Sequence, residues 1–172
     1  MKIINPLDIL QSDTPLFVLS TDLRGFMGFG IRARTNSNYN HIMIMHKPDF
    51  LASQGLFYKE IPMHKFMKPG TYMKFWKCKD ITDEERMYIL SGVEKDLKDP
   101  WWKRFYDYVG VLGSAIGLRN FNIPFLNYCS ERVRKRIKII IPDIQEHPSP
   151  ADINRLFKEN ERMEVYGYYI SD

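Results

Sequence analysis

Short apolar runs separated by turn-forming residues dominate the first half of the chain and limit the folds open to it. Another run of this kind, Val165 to Ile170, lies near the end. Because Gly, Pro, Asn and Asp interrupt the runs every few residues, they predict a small antiparallel sheet. The four runs in the first half, rich in aromatic, β-branched and methionine side chains typical of strands, are Leu16 to Leu19, His41 to Met45, Leu56 to Ile61 and Tyr72 to Lys77.

A helix with a strong start signal follows the fourth run. Thr82 and Glu85 have the spacing of a capping box, in which each side chain accepts a hydrogen bond from the other residue's backbone N–H. Apolar residues then recur at helical spacing from Met87 to Leu97, until Pro100 interrupts the pattern. We therefore expect a helix between these two boundaries.

Three further helices are predicted in the second half. One covers Trp101 to Ile116, and another runs from Cys129 to about Ile140. The third begins with Ser149 as N-cap and Pro150 as first helical residue, and it ends near Asn160. Runs of strands followed by helices, with no internal repeat, predict one α+β domain over residues 1–172.

The cysteine content and charge exclude several classes of protein. Cys78 and Cys129 are the only cysteines and show no Cys-x-x-Cys spacing, which disfavours a zinc site or a disulfide framework. Cys78 is interpreted as a structural residue, and no metal or cofactor is expected. A formal charge of +4 is too mild to require a nucleic acid as partner.

The apolar segments are too short for export or membrane insertion. The first residues lack the apolar stretch of a signal peptide. The longest apolar run, Val109 to Leu118, contains three glycines and falls short of the roughly 20 residues that a spanning helix needs. We therefore expect a soluble, cytoplasmic protein without a transmembrane segment.

Cys129 is the first candidate for chemistry. It stands where the apolar stretch Ile123 to Leu126 gives way to a helical pattern. In the first turn of a helix, unpaired N–H groups and the positive end of the helix dipole favour thiolate over thiol. Cys129 is therefore predicted to be a nucleophile, and the alternative is a buried structural cysteine.

A nucleophilic cysteine needs a base, and His41 is the preferred one of four histidines. His41, Met43 and Met45 share one face of the predicted strand, and His46 shares the other face with Ile42 and Ile44. If the first face meets the helix that begins at Cys129, His41 reaches the thiol. The two other histidines, His64 and His147, stand beside prolines in expected loops.

These residues and their order resemble the circularly permuted, His-before-Cys branch of the papain-like NlpC superfamily of cysteine hydrolases. The resemblance rests on Asn40 to Ile44 as the histidine strand and Tyr128 to Val133 as the cysteine helix. The closing Ser-Pro-x-Asp helix of that branch is similar to Ser149 to Asp152. Two residues depart from the pattern: Asn40 replaces a small residue, and Met43 replaces a glycine.

The resemblance implies a permuted papain-like fold and supplies roles for further residues. That branch takes a polar third catalytic residue from the strand after the histidine. Glu60 is the only carboxylate in the run Leu56 to Ile61, so it is the predicted third member. The backbone N–H of Cys129 and the hydroxyls of Tyr128 and Tyr39 are candidates for oxyanion or substrate contacts.

The predicted reaction is hydrolysis of an amide through a thioester on Cys129. By resemblance, the substrate is a peptide or a peptidoglycan fragment, and the enzyme is bacterial or phage-encoded. One alternative is a thiol acyltransferase or lipid hydrolase of the same fold, with an acyl-lipid substrate. Another is a non-enzymatic virion or interaction protein that retains the scaffold, for which the bulky Met43 is the best support.

Overall fold

A computed structural model describes residues 2–21, 38–54, 56–105 and 129–171. Within these residues, six strands form one antiparallel sheet in the order β4-β3-β2-β1-β5-β6. The mixed α+β class and the antiparallel sheet are therefore confirmed. The strands are β1 (Leu16–Thr21), β2 (His41–Lys47), β3 (Phe50–Gln54), β4 (Tyr58–Pro62), β5 (Tyr72–Cys78) and β6 (Met163–Ile170).

Four α-helices accompany the sheet in the described part of the chain. Both predicted caps are present: Thr82 accepts from the N–H of Glu85, and Ser149 accepts from the N–H of Asp152. The reciprocal carboxylate bonds of the two capping boxes form as well. The helices are α1 (Asp83–Lys98), α2 (Trp101–Arg104), α3 (Cys129–Ile137) and α4 (Pro150–Glu159), and single 3-10 turns cover Pro6–Asp8, Gln11–Asp13 and Met63–Lys65.

Two parts of the predicted secondary structure differ from the structure. The strand β3 was not predicted, so the strand that follows β2 in the chain is Phe50–Gln54 rather than Leu56 to Ile61. The helix predicted over Trp101 to Ile116 ends at Arg104, because Phe105 adopts an extended backbone and forms a β-bridge with Phe57. Residues 106–116 of that prediction lie outside the described residues.

The two faces of the sheet bury different side chains. On β2, Ile42 and Ile44 belong to the core cluster that includes side chains of α1, α3 and α4. Met43 and Met45 point the other way, into a second cluster with residues of the N-terminal segment and of the segment after β4. We call these the helix face and the second face. The alternation follows directly from the two-residue period of a strand.

The helix α3 packs against both the sheet and α1. A guanidinium–carboxylate pair joins the two helices, with Arg136 Nη2 2.6 Å from Asp96 Oδ2. Gly92 on α1 makes room for this pair, since a Cβ at that position would lie 2.3 Å from Arg136 Nη1. The position of α3 against β2 in turn determines where Cys129 lies.

No helix in the described ranges is long and apolar enough to cross a membrane.

Candidate functional site

Cys129 lies in the core between α3 and the sheet. It is the first described residue of α3, its side chain is only 4% exposed, and it belongs to the helix-face cluster with Ile42 and Ile44. Its thiol also interacts with the backbone N–H of Ile42. The thiol is therefore held against the start of β2, at the residue that follows His41.

Burial decides the protonation of this thiol. Removal from water raises the pKa of Cys129 to about 11, although the backbone N–H groups of Ile42, Ser130 and Cys129 itself act in the opposite direction. The expected N–H groups are thus present, but their effect is smaller than that of desolvation. The prediction that the helix start favours thiolate over thiol is corrected: at neutral pH the group is a neutral thiol.

His41 has a hydroxyl partner on the neighbouring strand. Its Nε2 lies 2.9 Å from Ser53 Oγ, and Ser53 is on β3. Ser53 was missed by sequence reasoning because β3 itself was missed. A polar contact of this kind restricts the orientation and tautomer of a histidine ring.

The arrangement considered from the sequence, in which the face of β2 carrying His41 packs against α3, is wrong. Ile42 and Ile44 contact the helices, whereas Met43 lies in the second cluster. The side chain of His41 lies on the same face as that of Met43, as its hydrogen bond to Ser53 and its pairing opposite Ser20 show. Strand alternation alone therefore does not bring the imidazole to the face that α3 covers.

The start of β2 nevertheless carries both contacts, because the thiol interacts with the N–H of Ile42 and Ile42 directly follows His41. The pairing of β2 with β3 begins at Ile44, which lies opposite Ala52. Ile42, whose N–H interacts with the thiol, is two residues before this first pair. Backbone N–H groups of a strand lie in the plane of its sheet. The thiol of Cys129 is therefore level with the sheet beside the start of β2, where His41 also reaches towards Ser53.

Glu60 contacts a different histidine from the predicted one. Its Oε2 lies 2.9 Å from His46 Nε2 and 2.7 Å from Lys47 Nζ. Burial acts to raise the pKa of the Glu60 carboxyl, but hydrogen bonds from Lys47 and His46 outweigh it and lower the pKa. The assignment of Glu60 as partner of His41 is corrected, because β4 lies one strand farther away than sequence reasoning assumed.

His46 itself is buried on the helix face. Desolvation lowers its pKa despite the hydrogen bond that His46 donates to Glu60. A neutral imidazole of His46 therefore contacts the carboxylate of Glu60, and Lys47 is the charged partner of that carboxylate. This cluster is compatible with a structural role.

Of the two tyrosines predicted to contact substrate, Tyr39 lies in the described structure. It packs against the helix-face cluster and hydrogen-bonds to Tyr72. Burial and this bond raise its pKa, so the hydroxyl stays protonated and able to donate. Tyr128 lies outside the described residues.

Arg132, one helical turn after Cys129, ties α3 to the end of β3. Its side chain is buried, its Nε donates to Gln54 Oε1 at 2.6 Å, and its Nη2 donates to the carbonyl of Lys103. The guanidinium also lies 4.5 Å from the ring centroid of Tyr58. Gln54 follows Ser53, so Arg132 links the helix of the thiol to the strand that orients His41.

Glu131, in the first turn of α3, pairs with His147 in the segment before α4. His147 Nδ1 lies 2.5 Å from Glu131 Oε1, and the carboxylate is largely buried. The contact fixes the loop before α4 to the first turn of α3.

Comparison with known proteins leaves the family open. No model of a known protein family matches the chain, and no curated protein sequence matches it. Within the described residues, no group of three or more His, Cys, Asp and Glu side chains could hold a metal ion. The catalytic roles of Cys129 and His41 stay predictions.

Proposed function

We propose that this protein is a cysteine amidase or peptidase of the permuted papain-like kind, with Cys129 as nucleophile, His41 as base and Ser53 as the residue that orients His41. One observation carries the proposal. The His41–Ser53 hydrogen bond and the contact of the thiol with the Ile42 N–H involve consecutive residues at the start of β2. Three separate elements thus supply a nucleophile, a base and an orienting group.

In the proposed reaction, Cys129 Sγ attacks the carbonyl carbon of an amide while its proton moves to His41. A neutral thiol with a raised pKa makes this transfer necessary, because little thiolate exists beforehand. The C–N bond breaks as His41 protonates the leaving amine, and a thioester remains. Water, deprotonated by His41, then hydrolyses the thioester and restores the thiol.

The proposed substrate is a short peptide amide such as that of a peptidoglycan stem. The test incubates the wild type, Cys129→Ala and Cys78→Ala with purified peptidoglycan and measures released fragments by mass spectrometry. Cys78 is a matched control, since it is the other buried free cysteine. We expect release by the wild type and Cys78→Ala and none by Cys129→Ala. Equal release by Cys129→Ala would contradict the proposal.

A second candidate is a non-enzymatic binding protein on the same scaffold. It is favoured by the thiol itself, which is 4% exposed and has its pKa raised by burial. It is also favoured by Met43, which is fully buried on the second face close to His41. No release by the wild type, together with Cys129 alkylation that is independent of His41, would support this candidate instead.

A further inference from the structure

A buried lysine occupies the same face of the sheet as Cys129. Lys74 on β5 pairs with Leu19 on β1, and Leu19 pairs with Ile42 on β2. Directly opposed residues share a face, so Lys74 points to the helix face, where Ile42 contacts the thiol. Two strand spacings separate the Cα atoms of Lys74 and Ile42 by about 10 Å.

The ammonium of Lys74 has aromatic neighbours in place of a counter-ion. Its Nζ lies 4.1 Å from the ring centroid of Trp76 and 5.7 Å from that of Tyr168. Within the described residues no carboxylate pairs with it, and the charge that acts on it from α4 is a second cation, Lys158. The side chain is only 5% exposed. A lysine buried to this extent is ordinarily paired.

Burial and Lys158 lower the pKa of Lys74 to about 8. The group thus remains mostly protonated at pH 7, and it holds an unneutralised charge on the face of the sheet where the predicted nucleophile lies. Such a charge destabilises a fold unless something compensates it. The two ring contacts compensate it in part, since a cation over an aromatic face gains about 0.5–2 kcal/mol. An anion would complete the pairing.

Partly exposed tyrosines surround this lysine. The rings of Tyr72 and Tyr168 lie 5.9 Å apart, and those of Tyr39 and Tyr72 lie 6.0 Å apart. Tyr72 is two residues before Lys74 on β5 and so shares its face. The hydroxyls of Tyr72 and Tyr168 can donate hydrogen bonds, as a bound carboxylate requires, while the hydroxyl of Tyr39 donates to Tyr72.

We propose that Lys74, with Tyr72 and Tyr168 beside it, binds a free carboxylate of the peptide substrate about two strand spacings, roughly 10 Å, from the residue of β2 that contacts the Cys129 thiol. The substrate class rests on the proposed function, and the anion site itself does not. A spacing of this size corresponds to roughly three residues of extended peptide. The enzyme would accordingly prefer a peptide with a carboxylate near the cleaved amide.

The test compares two alkylating agents that differ in charge. Iodoacetate carries a carboxylate and iodoacetamide does not, so the ratio of their rates at Cys129 reports the charge near the thiol. The rates are measured at pH 7 and low salt, with site-resolved mass spectrometry, in the wild type, Lys74→Met and Lys74→Arg. Lys77→Met is the control, because Lys77 lies on the same strand, is exposed and already pairs with Glu164.

We expect Lys74→Met to lower the iodoacetate-to-iodoacetamide ratio about threefold, the size of effect a unit charge roughly 10 Å away produces. Lys74→Arg and Lys77→Met should keep the wild-type ratio. If Lys74→Met does not fold, Lys74→Gln gives the same comparison. An unchanged ratio in the folded, uncharged variant would overturn the proposal. Because alkylation needs no turnover, a lowered ratio without peptide hydrolysis would reject the proposed function alone.

Discussion

The imidazole of His41 lies 2.9 Å from the hydroxyl of Ser53, on the strand next to it in the sheet. This relationship gives the predicted base a neighbour that fixes the direction of its ring. A serine is a weaker orienting group than a carboxylate, since its hydroxyl is uncharged. It restricts the orientation and the tautomer of His41.

Ser53→Ala should slow alkylation of Cys129 by iodoacetamide roughly fivefold at pH 7.5, the factor that about 1 kcal/mol of a lost hydrogen bond produces. The reason is that His41 loses its orienting partner and samples unproductive positions. Ser91→Ala is the control, because Ser91 is an exposed serine on α1. An unchanged rate in Ser53→Ala would show that the hydroxyl plays no part in the reactivity of the thiol.

Arg132→Met should destabilise the protein by about 3 kcal/mol, because removal of one partner from a buried polar network leaves the others unsatisfied. The groups affected are the amide of Gln54 and the carbonyl of Lys103. Urea denaturation followed by circular dichroism measures the change in the free energy of unfolding.

Arg155→Met serves as the control for this substitution, since Arg155 lies on the surface of α4. It should change the free energy of unfolding by less than about 0.5 kcal/mol. If Arg132→Met were as mild as Arg155→Met, the network between α3 and β3 would not hold the site together.

The buried His46 should make the fold less stable in acid. Its pKa is lowered in the folded state, so the unfolded chain takes up a proton first as the pH falls below about 6.5. The free energy of unfolding therefore falls from pH 7 to pH 5. Urea denaturation at these two values should show a smaller fall for His46→Gln than for the wild type.

His64→Gln is the matched control, because His64 is exposed in the segment after β4. It should keep the wild-type dependence on pH. A fall in His46→Gln equal to that of the wild type would show that the pKa of His46 is the same in the folded and unfolded chain, and would contradict the effect of burial.

Local signals in the sequence were sufficient for the helix starts. Thr82 with Glu85, and Ser149 with Asp152, form their capping boxes as predicted, because such caps depend on residues three positions apart. The strand β3 carried no such signal. Four of its five residues are buried, so the polar–apolar alternation that marks a half-buried strand is absent. The turn residues Pro48 and Asp49 were the one local indication of a hairpin.

Two features of the site depend on packing that the sequence does not display. Alternation predicts that His41 and Ile42 face opposite ways, but the face that α3 covers is set by the tertiary fold. Helix-start N–H groups near Cys129 were predictable, whereas the burial that outweighs them was not. The choice of Glu60 failed for a related reason. Because β3 was not predicted, the sequence places the strand that carries Glu60 next to β2, whereas β3 lies between them.

The pH dependence of iodoacetamide labelling at Cys129, in the wild type and in His41→Ala, tests the central claim most directly. A thiol with a pKa of about 11 and no base should react roughly tenfold faster for each unit of pH. We predict that the wild type departs from this line, with a rate that levels off between about pH 7 and 8.5 as neutral His41 accepts the proton. His41→Ala should return to the line. Superimposable profiles of the two proteins, each rising tenfold per unit, would contradict a Cys129–His41 pair.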